Sequence, residues 1–195
     1  MVDASPSNTN RFSRFVADVE RALAENGDAE PALLAEVGAS MRELVSHDDW
    51  LDDAFAQPHP QHYQQYLLHL DPAQRFSIVS FVWGPGQATP VHDHTVWGVI
   101  GVLRGAEVAE RFEAGADGRV APHGEPELLG EGSVGFVSPA IGDVHRVRNA
   151  LNDRVSISIH VYGANIGAVH RFVYGPEGKK GFVSGYANAP AGQVN

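Results

Sequence analysis

The sequence has 195 residues, of which 43% are hydrophobic, and its formal net charge is -10 at pH 7. This length predicts one domain with a substantial core, since two domains would each be small. The acidic balance argues against a protein that binds nucleic-acid phosphates without sequence preference, because such proteins need a basic face. The chain contains no cysteine. Disulfides, zinc–thiolate sites and thiol nucleophiles are therefore excluded, and any metal must be held by histidine and carboxylate.

The N-terminal third of the chain has helical periodicity after a polar start. Residues 1–10 are small and polar and are predicted to form a loose leader. A first amphipathic helix is then predicted to end near Asn26, and a second, with Pro31 in its first turn, to end near His47. The residues whose spacing predicts these helices are Phe12, Phe15, Val16, Val19 and Leu23, then Leu33, Leu34, Val37, Met41, Leu44 and Val45. We expect residues 11–70 to form a helical N-terminal part.

The rest of the chain has the pattern of an antiparallel β protein. From Phe76 onwards, short apolar runs alternate with turn residues such as glycine, proline, asparagine and aspartate. Residues 71–185 are therefore predicted to form a β-barrel or sandwich, and residues 186–195 a frayed tail. The expected fold is mainly β, preceded by two helices, within a single domain. No signal peptide or stretch of 18 apolar residues occurs, so the expected location is cytoplasmic.

Two histidines lie two residues apart in the segment GQATPVHDHTVWGVIGVLRG. On a strand, His92 and His94 point to one face and Asp93 to the other. By themselves these histidines indicate either a metal site or two polar groups satisfied at the mouth of a barrel. A third histidine, His145, follows a glycine turn and is predicted to be the first inward residue of its strand. Three neutral imidazoles from adjacent strands could hold one metal ion and leave the opposite positions open.

A second polar pattern occupies the segment VSISIHVYG. Ser158, His160 and Tyr162 alternate with aliphatic residues, so on a strand the three polar side chains share one face. If that face points into the barrel, a hydroxyl, an imidazole and a phenol form a relay. If it points outward, the pattern is an ordinary solvated face.

These motifs resemble those of the cupin superfamily over about residues 76–175. A glutamate ligand is usual in cupins four residues after the second histidine, but Gly98 stands there, and Glu107 and Glu110 lie well past the motif. The segment HDHT together with Ser-x-His-x-Tyr closely resembles the thiol dioxygenases of the cysteine dioxygenase family, whose fold is a cupin barrel with N-terminal helices. The cupin motif positions in this chain are Gly86, His92, His94, Gly105, Pro139, Gly142, His145 and Asn149.

The resemblance implies a single Fe(II) held by His92, His94 and His145, which would oxidise a small thiol with O2 to a sulfinic acid. It also implies roles for the alternating polar residues. Tyr162 would present its hydroxyl to the bound substrate or oxygen, with His160 orienting the phenol and Ser158 fixing the imidazole tautomer. Because three-histidine sites also bind zinc, nickel and cobalt, the metal is not determined by the ligands alone.

Two departures from the eukaryotic cysteine dioxygenases bear on the substrate. Their cysteine–tyrosine cross-link cannot form, since Gly98 stands at the comparable position. Their substrate-binding arginine is replaced here by Gln65. In this respect the sequence resembles the bacterial glutamine-type branch of the family, whose members prefer 3-mercaptopropionate. A carboxylate still needs a cation, and Arg171 is the candidate that this branch implies, although it could also be a surface arginine.

Three alternatives to a 3-mercaptopropionate dioxygenase remain at this point. L-cysteine could be the substrate of the same chemistry. Another cupin reaction, such as ring cleavage or sugar isomerisation, would leave the Ser-x-His-x-Tyr pattern unexplained. A metal-free cupin that binds a small ligand would be the non-enzymatic possibility.

Overall fold

A computed structural model describes residues 7–27, 29–115 and 119–189. It begins with two helices, α1 (Ser7–Asn26) and α2 (Glu30–Val45), followed by a short 3₁₀ helix at Asp53–Phe55. Gly27 ends α1 in the left-handed conformation with a φ of 50°, and its N–H donates to Leu23 O. None of these three helices is long and apolar enough to cross a membrane.

The described residues after the helices form twelve β-strands, numbered in chain order. They are β1 (Gln64–Leu70), β2 (Ser77–Trp83), β3 (Val91–His92), β4 (Gly98–Arg104), β5 (Ala106–Ala114), β6 (Val120–Pro122), β7 (Glu127–Gly130), β8 (Val134–Val137), β9 (His145–Asn149), β10 (Ser156–Tyr162), β11 (Arg171–Gly175) and β12 (Gly178–Phe182).

The strands form two curled antiparallel sheets. One sheet has the order β1-β2-β10-β4-β8, and the other has the order β12-β11-β3-β9-β5, with β6 and β7 both pairing with β5. Non-consecutive strands are neighbours in both sheets, as in a jelly roll. This arrangement confirms the predicted cupin-type antiparallel β-barrel preceded by N-terminal helices.

The helices cover the outer face of the five-stranded sheet, where α2 packs on β4 and β8. The aliphatic residues of β10 join the core beneath the helices, and a second apolar cluster lies inside the barrel. Every residue of β10 is buried as a result, whichever face it points to. The polar side chains of this strand are therefore enclosed in the barrel, and the alternative of a solvated face is wrong.

The N-terminal boundaries differ from the prediction in two places. Helix α1 begins at Ser7, so the predicted leader over residues 1–10 is wrong for residues 7–10, whereas residues 1–6 lie outside the described residues. Polar residues are common in a first helical turn and carry no apolar periodicity. Strand β1 pairs with β2, so the barrel begins at residue 64 and not at 71. An irregularity in register between Leu67 and His69 breaks the alternation that would have revealed this strand.

The C-terminal boundary also differs, because part of the predicted frayed tail is held against the barrel. The Tyr186 hydroxyl donates to Asn165 Oδ1 at 2.8 Å. Asn188 makes two hydrogen bonds of 2.9 Å with the backbone N–H and C=O of Leu67. These contacts cover the free edge of β1, which would otherwise expose unpaired backbone groups. Residues 190–195 of the predicted tail lie outside the described residues.

The contact between α2 and β4 leaves no room for a side chain at Gly101. A Cβ atom there would lie 2.7 Å from Met41 Cγ and Sδ and 2.8 Å from Val45 Cγ1. We expect Gly101→Val to lower the free energy of unfolding by about 1–3 kcal/mol, because overpacking forces side chains from their preferred rotamers. Urea unfolding of the variant would measure this loss.

The matched control is Gly130→Val in β7, where an added Cβ would meet no atom within 4 Å. Equal unfolding midpoints for the two variants would contradict the close packing of α2 on the barrel.

Candidate active site

Three buried histidines converge inside the barrel. His92 ends β3 and is paired directly with His145, the first residue of β9, and His94 follows in the loop after β3. One ring nitrogen from each histidine lies within 4.8 Å of the other two. The structure therefore brings the three predicted ligands together in one group that could hold a metal ion.

Hydrogen bonds orient two of the three imidazoles. His92 Nδ1 lies 3.1 Å from Pro90 O, and His94 Nδ1 lies 2.9 Å from Asp143 Oδ1. Because a carbonyl and a carboxylate can only accept, both Nδ1 atoms carry a hydrogen and both Nε2 atoms are left free to bind a metal. Asp143 also accepts hydrogen bonds from the backbone N–H groups of His94 and Thr95, which fix the loop.

The three histidines are neutral at physiological pH. Burial lowers the pKa of His92 to about 4, and it lowers the pKa of His94 and of His145 well below the usual value for histidine. The cause is desolvation, which disfavours the charged imidazolium. Neighbouring imidazoles lower the pKa values of His94 and His145 further, and the Arg171 guanidinium lowers those of His92 and His94. Protons therefore do not compete with a metal for the free ring nitrogens.

Strand β10 adds a continuous polar chain beside the histidines. Ser158 Oγ lies 2.7 Å from His160 Nε2, and His160 Nδ1 lies 2.8 Å from the Tyr162 hydroxyl. The Tyr162 ring stacks on His94, with a centroid distance of 5.3 Å. Burial lowers the pKa of His160 to about 3 and raises the pKa of Tyr162 above its ordinary value. The relay predicted from the alternating pattern is thus present, with both its imidazole and its phenol neutral.

Gly98 faces this relay across the sheet. It is paired with Tyr162, and a Cβ atom at this position would lie 3.0 Å from Tyr162 Cδ1 and 2.9 Å from Val137 Cγ2. A larger residue would therefore displace the Tyr162 ring unless its neighbours moved.

Arg171 is the buried cation of the site, with 3% of its surface exposed. Its guanidinium lies over the Phe182 ring at 4.7 Å and donates to Ser184 Oγ. Among the residues that the structure describes, no carboxylate lies within ion-pair distance of it, and its Nε has no hydrogen-bond partner. Desolvation lowers the pKa of Arg171, and the neighbouring Tyr162 and Tyr63 partly offset that change. The alternative of a surface arginine is therefore wrong.

Gln65 lies in β1 opposite Phe81, so its side chain shares the face of Phe81, which stacks on His160. Its Oε1 is buried without a hydrogen-bond partner in the described part of the chain. An unpaired buried amide oxygen is costly unless a ligand or water satisfies it. Gln65 therefore offers a free polar group on the inner face of the barrel.

Sequence reasoning missed three residues that support this site. Asp143 binds His94, and its position two residues before a ligand histidine is the signal in the sequence that could have suggested this role. Trp83 lies in β2, and its indole N–H donates to Ser158 Oγ at 3.2 Å. Glu107 is 1% exposed and lies next to Ser156, whose Oγ is 3.2 Å from Glu107 Oε1. No pattern in the sequence distinguishes it from the other glutamates of β5.

Comparisons with known proteins agree with this geometry. The cysteine dioxygenase type I family matches residues 10–174 of the chain. Cysteine dioxygenase type 1 of Bos taurus is 24% identical over 162 residues, which cover 82% of this chain and 79% of the bovine protein.

Two solved structures are also similar. A protein with a double-stranded β-helix domain from Klebsiella pneumoniae is 17% identical, with a TM-score of 0.48 over 62% of this chain and 88% of the other. A cupin superfamily protein from Desulfitobacterium hafniense is 11% identical, with a TM-score of 0.45 over 61% of this chain and 94% of the other. Since the family match spans most of the sequence, the chain belongs to the cysteine dioxygenase type I family and is a non-haem iron dioxygenase.

Proposed function

We propose that this protein is an Fe(II)-dependent thiol dioxygenase whose substrate is a small thiol carboxylate, 3-mercaptopropionate. The reaction adds both atoms of O2 to the sulfur, so that the thiol and O2 give the sulfinic acid. The observation that carries the proposal is the convergence of three groups inside one barrel. These groups are the three histidines, the hydroxyl of Tyr162 and the guanidinium of Arg171, which lies close enough to lower the pKa values of His92, His94 and Tyr162.

The donor set fits ferrous iron. His92, His94 and His145 would hold the ion through neutral nitrogens, and the metal-binding group identified among the described residues includes no carboxylate. When bound, Fe(II) would supply the centre at which a thiolate and O2 meet. Because three neutral ligands leave the dication uncompensated, an anionic sulfur is strongly favoured there.

Arg171 would bind the substrate carboxylate. A buried guanidinium without an anionic partner is costly, and a carboxylate can accept two parallel hydrogen bonds from it. The Nε of Arg171 has no partner and is therefore available for such a contact. A ligand that carries both a carboxylate and a thiol could satisfy the cation and the metal at the same time.

The charge of the site favours 3-mercaptopropionate over L-cysteine, which also carries an ammonium group. The two aspartates nearest the histidines are already occupied. Asp143 binds His94 and Thr95, and Asp93 accepts from Phe172 N and from the Tyr174 hydroxyl, each at 2.8 Å. Neither aspartate is left free to pair with an ammonium group.

One observation favours L-cysteine as the alternative substrate. The unpaired amide oxygen of Gln65 could accept a hydrogen bond from an ammonium group. If the amide were rotated by half a turn, the same side chain would instead donate to a carboxylate. The identity of residue 65 therefore discriminates between the two thiols.

The proposed reaction is tested by oxygen consumption of the Fe(II)-loaded protein with 3-mercaptopropionate, L-cysteine and mercaptosuccinate, with the sulfinate product quantified. We expect O2 uptake to match sulfinate formation. We also expect His94→Ala to lose metal and to reduce activity by at least about 100-fold, since even loss of a residue that only orients a ligand costs about 10- to 100-fold. The control His123→Ala removes an exposed histidine and is expected to keep both the bound metal and the activity. No sulfinate from the wild type despite bound iron would contradict the proposal.

The role of Arg171 is tested by Arg171→Gln. We expect kcat/KM for 3-mercaptopropionate to fall by roughly 30-fold to several thousand-fold, because removing one partner of a buried charge pair costs about 2–5 kcal/mol. Cysteamine, a thiol without a carboxylate, is the matched control substrate. If the loss were equal for both thiols, Arg171 would act on the fold and not on the carboxylate.

The role of Gln65 is tested by Gln65→Arg, which adds a second cation to the inner face of the barrel. Because the eukaryotic cysteine dioxygenases that the sequence resembles bind their substrate through an arginine at this position, we expect the ratio of kcat/KM for 3-mercaptopropionate over L-cysteine to fall by about 10-fold, equivalent to about 1.4 kcal/mol. An unchanged ratio would exclude Gln65 as a determinant of substrate preference.

A further inference from the structure

A buried carboxyl group lies beside the Ser158 end of the polar residues of β10. Glu107 lies in β5 and is 1% exposed. Its Oε1 lies 3.2 Å from Ser156 Oγ, whereas its Oε2 has no hydrogen-bond partner of ordinary geometry among the described residues. Ser158 and Trp83 nevertheless lie close enough to lower the pKa of the carboxyl group. A small shift of the Ser158 hydroxyl would therefore connect Glu107 to the relay.

The relay can be hydrogen-bonded in two directions, and once Ser158 is bonded to Glu107 the charge of Glu107 would select between them. When Glu107 is ionised it can only accept, so Ser158 donates to it, His160 donates from Nε2 to Ser158, and Tyr162 donates to His160 Nδ1. When Glu107 is protonated it donates to Ser158, and every other bond reverses. In that second state the Tyr162 hydroxyl would donate a hydrogen bond toward a substrate bound beside the three histidines.

We propose that Glu107 is the terminal proton acceptor of the site and takes up the thiol proton of the substrate through Tyr162, His160 and Ser158. The S–H bond breaks and an O–H bond forms at Glu107. Each of the three intervening groups accepts one proton and passes one on, so that none of them changes charge and no electron is transferred. Glu107 touches no substrate and acts through the relay. The inference rests on the proposed thiol dioxygenase function.

The pKa values of the groups in the relay agree with this assignment. Burial raises the pKa of Glu107 from 4.5 to about 7, and the hydroxyls of Ser158 and Ser156 partly offset the rise. A carboxyl group with that pKa can accept and return a proton near neutral pH. Because the pKa of His160 is lowered to about 3, the imidazole passes a proton on without holding it.

A small cavity offers Glu107 a route to solvent. It lies between β5, β7, β8 and β9, and its lining extends from Glu107 to Arg111 and Glu127, which are both exposed. Most of the cavity lining is apolar, but a water held by Glu107, Arg111 and Glu127 could carry the proton away after each turnover. The other titratable groups around Glu107 are Arg111, Glu127 and His145, which line the same cavity, and Tyr162, whose pKa the charge of Glu107 helps to raise. Of these, His145 and Tyr162 stay neutral near pH 7, because burial lowers the pKa of His145 and raises that of Tyr162.

The inference is tested with Glu107→Gln, which keeps the shape of the side chain but cannot accept a proton. For the wild type we expect kcat/KM with 3-mercaptopropionate to rise with pH through about 7, because Glu107 must be ionised to act. For Glu107→Gln we expect this rise to be absent and the rate to be at least about 100-fold lower, with the iron content unchanged. Glu107→Asp should restore part of the rate and also the rise of kcat/KM with pH.

The matched control is Glu110→Gln in the same strand. Glu110 is paired with Arg146 on the other face of β5, and its loss should leave the pH profile unchanged. A second readout does not depend on activity. In the metal-free protein, infrared spectra should show a carboxylic acid band that disappears as the pH rises through about 7. This band should be missing from Glu107→Gln and present in Glu110→Gln.

Different results would overturn the role of Glu107 and the proposed thiol dioxygenase function. An unchanged rate and pH profile in Glu107→Gln, while the wild type forms sulfinate, would overturn the role of Glu107 alone. A carboxyl band of Glu107 that titrates near 4.5 would overturn it as well. Absence of sulfinate from the wild type would overturn the proposed function together with this inference.

Discussion

A polar chain can be buried in an apolar barrel only if its atoms find partners inside, and this requirement governs the site. On β10, Ser158, His160 and Tyr162 bond to one another, and Trp83 donates to the first of them. The aliphatic residues between them pack beneath the helices. A shift of β10 by one residue would turn the aliphatic side chains into the site and the polar ones into the outer core. The helices therefore hold the register on which the chemistry depends.

The interior charges are the basis for proposing an anionic substrate. The three histidines are kept neutral by burial, and Asp143 is already engaged by His94 and Thr95. Arg171 is left as a buried cation without an anionic partner among the described residues. A thiol carboxylate would supply one anion to this guanidinium and a second, as thiolate, to the metal. In the proposed relay the thiol proton would go to Glu107, whose pKa burial raises to about 7.

The sequence alone predicted those parts of the site that depend on local periodicity. Ser158, His160 and Tyr162 alternate on one strand, and His92 and His94 lie two residues apart, so each set could be placed on a common face. Strand β1 was missed because an irregularity at Leu67 breaks its period. The burial of Arg171 and Glu107 depends on pairing with strands distant in the sequence, and it could not be read from their neighbours in the chain. The same holds for Asn188, whose contact with Leu67 joins residues 121 positions apart.

The proposed function is tested most directly by a crystal structure of the Fe(II)-loaded protein with 3-mercaptopropionate, grown without oxygen. We expect one iron held by His92, His94 and His145, with the substrate sulfur on the metal and its carboxylate on Arg171. Iron bound by other residues, or a substrate whose carboxylate lies away from Arg171, would contradict the proposed site.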